Sequence, residues 1–237
     1  RPANAAAHDA LWALIRDGLR ARGIPAPDAL DRETPHMEGW GRPDLVLGQI
    51  CNLPYRARFR GRVTRIGCAD HGLPGCAPGY YRSLIVVREG EPEADPADHA
   101  ARRLAYNEGL SQSGWGSIHA WAKVRGLTLA PALRTGAHVE SARAVAEGRA
   151  DLAAIDARTW AMLEAEGLTV GLRPAGATDP SPGMTFITAP GVKPSPYFNA
   201  IASAIARLDA GHRATLSLRG IVRLPESAYD LPLPPDP

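Results

Sequence analysis

Residues 135–156 read T-G-A-H-V-E-S-A-R-A-V-A-E-G-R-A-D-L-A-A-I-D. The spacing predicts a helix over Val139–Glu147 that Gly148 closes, then a buried strand over Leu152–Ile155. Asp156 stands where the next helix, Asp156–Glu166, begins, and Gly167 closes that one. Loop, helix, strand, loop and helix in that order are the building unit of an α/β sheet.

The same alternation extends outward. Upstream, Ala5–Arg22 reads as an amphipathic helix with Leu11, Leu14, Ile15 and Leu19 on one face and Gly23 at its end. Asp44–Ile50, Val63–Ala69 and Ser83–Val87 read as strands, the last (S-L-I-V-V) most clearly. A polar, proline-containing link follows, then a short strand over Arg103–Asn107, a helix from Gly114 to about Arg125 with Gly126 beyond it, and a strand over Thr128–Arg134. Downstream, Leu168–Leu172 and Met184–Thr188 read as strands. Ser195 caps a last long helix with Pro196 at its first position and Phe198, Ile201, Ile205 and Leu208 facing inward. The closing L-P-L-P-P-D-P is an extended or frayed end. The fold class is α/β with largely parallel sheets. The link near 88–98 and the turn-rich 174–183 are the expected crossings between two lobes, one made of residues 1–90 plus 179–237 and the other of residues 91–178.

Composition excludes several classes. The chain has 237 residues, 45% of them apolar and 22% charged, which suits a folded chain of one or two domains. The formal charge is +2, the charges are interspersed, and aromatics make up only 6%, so nucleic acid is not an expected partner. No apolar run approaches the roughly 20 residues of a membrane span. The chain opens R-P-A-N-A-A-A-H-D, which is not a leader, although a leader removed earlier is compatible with it. Cys51, Cys68 and Cys76 lack C-x-x-C spacing, so neither a zinc knuckle nor a redox motif is expected; their odd number allows one disulfide and one thiol, or three buried thiols. No metal or cofactor is expected.

Three loops that follow strands and open helices carry the candidate chemistry, since ligands in open α/β sheets sit at the carboxyl ends of strands. In Ser111-Gln112-Ser113-Gly114, hydroxyls and free helix-start amides suit an anion, and serine also suits a plain cap. Gly136-Ala137-His138 opens a second helix, where the imidazole is a ligand donor or a capping residue. Asp156 is an N-cap or an acceptor for a ligand proton. Beyond these loops, Gln49, Cys51 and Asn52 end a strand, and Tyr80 and Tyr81 either pack in a strand or offer their hydroxyls. Ser113, His138 and Asp156 stand in an order that a hydrolase triad could use, but no G-x-S-x-G elbow follows a strand.

With these residues in place, the chain resembles the phosphate/phosphite/phosphonate-type solute-binding proteins of ABC transporters. The stretches that carry the likeness are L-G-Q-I-C-N-L-P-Y (47–55), L-P-G-C-A-P-G-Y-Y-R-S (73–83), S-Q-S-G (111–114), residues 136–156 and P-S-P-G-M-T-F-I-T (180–188). The resemblance implies a two-lobed, type 2 periplasmic-binding-protein fold with two crossings, outside the cytoplasmic membrane. A lipid anchor ahead of Arg1 is compatible with it. It implies a monomer without catalysis that delivers a small oxyanion or organic anion from the interlobe cleft to a permease. Family members hold a tetrahedral oxyanion on a Ser-Thr-Ser-Gly helix start with a His, an Asp and tyrosines. Carried over, these become Ser111, Gln112, Ser113, Gly114, His138, Asp156 and Tyr80 or Tyr81, with Gln49 and Asn52 beside them. Gln112 replaces the family's threonine, and Trp115 follows the motif, which leaves room for a different organic cargo. The resemblance also suggests a Cys51–Cys76 disulfide in an oxidising compartment. Relatives place a strand before the first helix, and the sequence here opens at about that helix; either that strand is missing, in which case one sheet lacks a central strand, or this protein differs from its relatives. A sensory ligand-binding domain shares this fold and is the alternative role. In a site with few cations, Asp156 would favour a protonated oxyanion, because two facing anionic oxygens repel unless a proton lies between them.

Overall fold

The computed structural model describes residues 2–237. It divides into two compact units: the segment through Tyr80 with Pro182–Tyr229, and Tyr81–Ser181 with Asp230–Pro237.

Unit 1 begins with α1 (Ala5–Arg20), α2 (His36–Trp40), β1 (Gly48–Ile50), α3 (Asn52–Pro54), β2 (Thr64–Asp70) and β3 (Tyr80–Tyr81), which ends at the unit boundary. Unit 2 carries β4 (Ser83–Arg88), β5 (Arg103–Tyr106), α4 (Ser117–Val124), β6 (Ala130–Arg134), α5 (His138–Ala146), β7 (Leu152–Asp156), α6 (Ala157–Ala165), β8 (Leu172–Ala177) and the start of β9 (Ser181–Pro182). Unit 1 then resumes with β10 (Thr185–Thr188), α7 (Pro194–Arg207), α8 (Ala210–Leu216) and β11 (Gly220–Val222).

The boundaries differ from those expected, for two reasons. Strand β4 pairs with β7 and β8, so residues 81–90 belong to unit 2. The C-terminal segment also returns to unit 2, which makes three passages between units instead of two.

The unit 1 sheet has the order β1-β10-β2-β11 and every pairing in it is antiparallel, with Gln49 opposite Phe186, Phe186 opposite Gly67, and Ile221 opposite Ala69. The expected parallel pairing is therefore absent here. Parallel neighbours need a crossover element between them, whereas these strands come from separate passes of the chain. Strand β1 is an edge strand, and Leu45–Gly48 border a cavity of about 500 Å³ that Trp12, Leu30 and Trp40 also line. The amphipathic pattern of α1 buries Leu11, Trp12, Ile15 and Leu19 against α7, whose Ile201 and Ile205 face them. Gly18 allows close approach, since a Cβ there would lie 3.3 Å from Ala200 Cβ. Helix α7 starts at Pro194 and not after Ser195, because a proline in the first turn gives up an N–H that has no intrahelical acceptor.

The opposite side of the sheet closes around a polar knot. Cys68 Sγ lies 2.9 Å from Tyr229 Oη and 3.2 Å from Thr185 Oγ1. The Arg65 guanidinium sits 3.9 Å above the Tyr229 ring and pairs with Glu226, which also takes Arg60 at 2.8 Å. Burial pushes the Cys68 thiol up. Native alkylation at pH 8 therefore leaves Cys68 unmodified, and it reacts only in denaturant; peptide mapping that finds it labelled in the folded protein contradicts this placement. The structure carries Cys51 and Cys76 as thiols as well, so the expected bridge is not formed in it.

Unit 2 holds a five-stranded sheet of order β6-β5-β7-β4-β8. Strand β5 runs parallel to β6 and β7, and β4 runs antiparallel to β7 and β8. Alternate strand residues face opposite layers. Val86, Ala105, Ala153 and Ile155 pack with Val145, Trp160 and Leu163, while Ile85, Val87, Leu104 and Leu152 pack with Trp115, Ile118 and Trp121. Burial on both faces explains why these strands read as continuous apolar runs. Residues 168–171 form a turn instead of the expected strand, and β8 begins only at Leu172.

At the amino edge of β5, Glu91 and Asp151 draw together Arg88, Arg102 and Arg103, with contacts of 2.6 to 3.1 Å. The Arg102 and Arg88 guanidiniums lower the Glu91 carboxyl to about 2, and those of Arg103 and Arg88 hold Asp151 well below the usual range. Depressed folded-state values give stability that is complete above the unfolded carboxylate range and is lost as pH falls through the folded values. Acid unfolding of unit 2 should steepen between about pH 4.5 and 2, and Asp151→Asn should flatten it. Identical acid profiles for the two proteins would show that the cluster contributes nothing.

Candidate functional site

The parallel strands β5, β6 and β7 direct their carboxyl ends to one edge of the unit 2 sheet. The chain moves from β5 to β6 on one side of β5, then returns to β7 on the other. This is a topological switch point, the place where ligands of open α/β sheets bind. The three helical segments that follow these strands open there, and first-turn amides have no intrahelical acceptor.

After β5 the chain forms a π-helical turn over Gln112–Gly116 that leads into α4. Trp115 N and Gly116 N both donate to Ser111 O, at 3.1 and 3.0 Å. Ser111 is the cap, since its Oγ accepts Gly114 N at 3.0 Å. That leaves Ser113 for another role, and its Oγ lies 2.7 Å from His138 Nε2 and 3.5 Å from Ser111 Oγ. Gly114 makes room for Asn107: a Cβ there would sit 1.7 Å from Asn107 Oδ1, so that side chain would have to move. Gln112 is buried, and its Nε2 donates to Ser181 Oγ at 3.4 Å.

Two serines that sequence reasoning missed fix this turn. Ser83 Oγ donates to Ser113 O at 2.8 Å, Ser117 Oγ donates to the same carbonyl at 3.0 Å, and both side chains are buried. Ser117 lies one helical turn after Ser113, which was the only signal for it. The second loop is pinned in a similar way. Thr135 N donates to Tyr106 O at 2.9 Å, Thr135 Oγ1 lies 2.7 Å from Ser141 Oγ, and Gly136 turns with φ +81° to place His138 at the head of α5.

Burial pushes the His138 imidazole below its ordinary value, with Asp156 and the Ala154 carbonyl pulling the other way. The folded protein thus favours the neutral ring. A base depressed on folding adds stability that is complete above its unfolded value and is lost as pH falls below it. Denaturation midpoints should therefore drop as pH falls below about 6.5, and by less in His138→Gln. An unchanged pH dependence in that variant contradicts the burial of a neutral ring. His99, held down chiefly by burial and then by Arg102, adds to the same slope.

Asp156 caps α6, its Oδ1 accepting Thr159 N at 2.7 Å. Its charge acts on both His138 and Arg158, so these three groups share one neighbourhood. Arg158, two residues past Asp156, also escaped the sequence reading. Burial lowers its pKa and Asp156 opposes that shift.

The structure thus brings Ser111, Ser113 and His138 into contact and sets Asp156 beside His138. Tyr81 is a buried residue of unit 2, while Tyr80, Gln49 and Asn52 belong to unit 1. Asn52 is fully buried and bonds within unit 1, with Oδ1 2.6 Å from Arg56 Nε and Nδ2 3.4 Å from Pro182 O. Both of those bonds lie within unit 1. Gln49 is a strand residue whose carbonyl takes Trp40 Nε1 at 2.8 Å. Among the described residues, no group of three or more His, Cys, Asp or Glu side chains is arranged to hold a metal.

Residues 69–228, more than half of the chain, match the model of the ABC transporter phosphonate periplasmic substrate-binding proteins, and the chain belongs to that family. The family is extracytoplasmic and its members are substrate-binding proteins. No curated protein sequence matches significantly. Solved structures share the periplasmic-binding-protein fold. A Xanthomonas citri protein bound to ATP is 16% identical with a TM-score of 0.68, over 94% of this chain and 90% of that one. PhnD1 of Prochlorococcus marinus in complex with methylphosphonate is 15% identical with a TM-score of 0.66, over 95% and 90%. The aliphatic sulphonate binding protein SsuA of Escherichia coli is 15% identical with a TM-score of 0.57, over 89% and 77%.

Proposed function

We propose that this protein binds a small tetrahedral oxyanion of the phosphonate or phosphate class and presents it to an ABC permease as a monomer, without catalysis. The observation that carries the reading is the Ser113–His138 contact of 2.7 Å at the meeting of two helix starts. A hydroxyl, an imidazole and first-turn amides converge there, and such groups hold an anion without a matching cation. The same pair does not make a hydrolase: Ser113 lies inside a helical turn, not on a strand-to-helix elbow, and Asp156 spends an oxygen capping α6. In this reading Tyr81, of the same unit, adds to the ligand shell, and Gln112 tunes the size of the cargo. Arg158 offsets the Asp156 charge.

A thermal-shift screen over methylphosphonate, phosphite, phosphate, sulfate, an aliphatic sulphonate and ATP tests the reading. One phosphorus oxyanion should raise the melting temperature in a concentration-dependent way. A shift with the sulphonate alone would move the cargo to another class. Asp156 favours the singly protonated form of the oxyanion, so Asp156→Asn should weaken or reverse the pH dependence of affinity. An unchanged pH profile in that variant removes this role.

A further inference from the structure

The proline-rich end of the chain is not frayed. Residues 230–237 pack on unit 2 without regular secondary structure, and the Pro235 carbonyl accepts Trp115 Nε1 at 2.7 Å. Trp115 is 3% exposed and belongs to the Gln112–Gly116 turn that carries Ser113. Its ring also lies 6.0 Å from that of Tyr106, at the end of β5, and 5.5 Å from that of His119. Two residues on, Pro237 rests against the loop before the turn: a Cβ on Gly109 would come within 3.1 Å of Pro237 Cδ, so the glycine accommodates the proline ring.

We infer that the segment Asp230–Pro237 is a positioning strap, which holds Trp115 and through it keeps the Ser111–Gly116 turn in the π-helical shape that aims Ser113 at His138. The physical case has three parts. A π turn is rarer and less favourable than an α turn and persists where neighbours enforce it. A buried indole N–H needs an acceptor, and the Pro235 carbonyl is the one it has. A chain rich in proline is already extended, so it loses little conformational freedom on docking. When the strap leaves, the indole must turn to find water and the turn can relax toward α register, which rotates Ser113 away from the imidazole. Trp115 and the strap are thus positioning elements and touch no ligand themselves. The inference rests on the proposed oxyanion site for its functional consequence and not for its structural one.

The test compares the full chain, a variant ending at Asp230, Trp115→Phe and Pro235→Ala. Amide exchange at residues 112–116 and the Trp115 indole N–H resonance are read without ligand, and methylphosphonate affinity is read separately. Truncation and Trp115→Phe should each raise exchange at 112–116 by about tenfold or more and weaken methylphosphonate binding by a similar factor. Truncation should also shift the indole resonance, and Pro235→Ala, which keeps the accepting carbonyl, should change these readouts least. Unchanged exchange at 112–116 in both Trp115→Phe and the truncated chain overturns the strap. Should the full chain not bind methylphosphonate, the oxyanion reading fails for that cargo while the exchange data still decide the strap.

Discussion

Ser113→Ala should weaken binding of the oxyanion cargo by about 10- to 150-fold, the range set by losing one hydrogen bond to a charged ligand, worth about 1.5–3 kcal/mol. The fold should keep its shape at a cost of about 1–3 kcal/mol, because His138 Nε2 gives up its bond to the hydroxyl. Ser113 Oγ bonds His138 and approaches Ser111, whereas the carbonyl that Ser83 and Ser117 hold belongs to the backbone and survives the substitution. The turn therefore keeps its shape while losing one donor. Calorimetry on both proteins, alongside their melting temperatures, checks this. A loss of affinity in a variant that is still fully folded at the titration temperature supports direct contact. Equal affinities would remove Ser113 from the site.

The second large effect is on stability. Ile155 is fully buried between the sheet and the α5–α6 layer, where it packs with Val145, Trp160 and Leu163. Ile155→Ala should cost about 2–5 kcal/mol, combining lost burial with the cavity left behind. Because Ile155 precedes Asp156, any backbone shift also moves the α6 cap. Denaturant unfolding of unit 2 should thus begin at a lower midpoint. A midpoint within error of the parent would mean that the layer repacks without a cavity.

How much of this was legible follows from where each signal lies. The βα units of residues 103–167 were readable because each helix ends at a glycine that needs positive φ: Gly126 at +67°, Gly148 at +74° and Gly167 at +70°. Local signals of that kind require no knowledge of partners. The antiparallel sheet of unit 1 was not readable, because Gly48–Ile50 pairs with Thr185–Thr188 from the far end of the chain, and a three-residue strand has too short a pattern to show its direction. Helix α8 was missed since A-G-H-R-A-T-L buries only Leu216 and so has no periodic apolar face. At the candidate site, Ser111, Ser113, His138 and Asp156 stood out in the sequence because each lies where a helix opens after a strand. In sequence either serine suits a plain cap, and the structure gives that place to Ser111. Which serine caps and which faces the imidazole depends on the π turn, and a π turn leaves no mark in composition. Ser83 acts across a sheet from Ser113 and Arg158 acts through burial, so neither shows in local spacing.

In the proposed function, the heads of the helices that follow β5, β6 and β7 receive a tetrahedral oxyanion. The most direct measurement is a calorimetric titration of the full chain with methylphosphonate, repeated on Ser113→Ala and His138→Ala. The parent should show saturable one-to-one binding that both substitutions weaken by about tenfold or more. Methylphosphonate binding of equal strength in all three proteins would place the ligand elsewhere and contradict this reading.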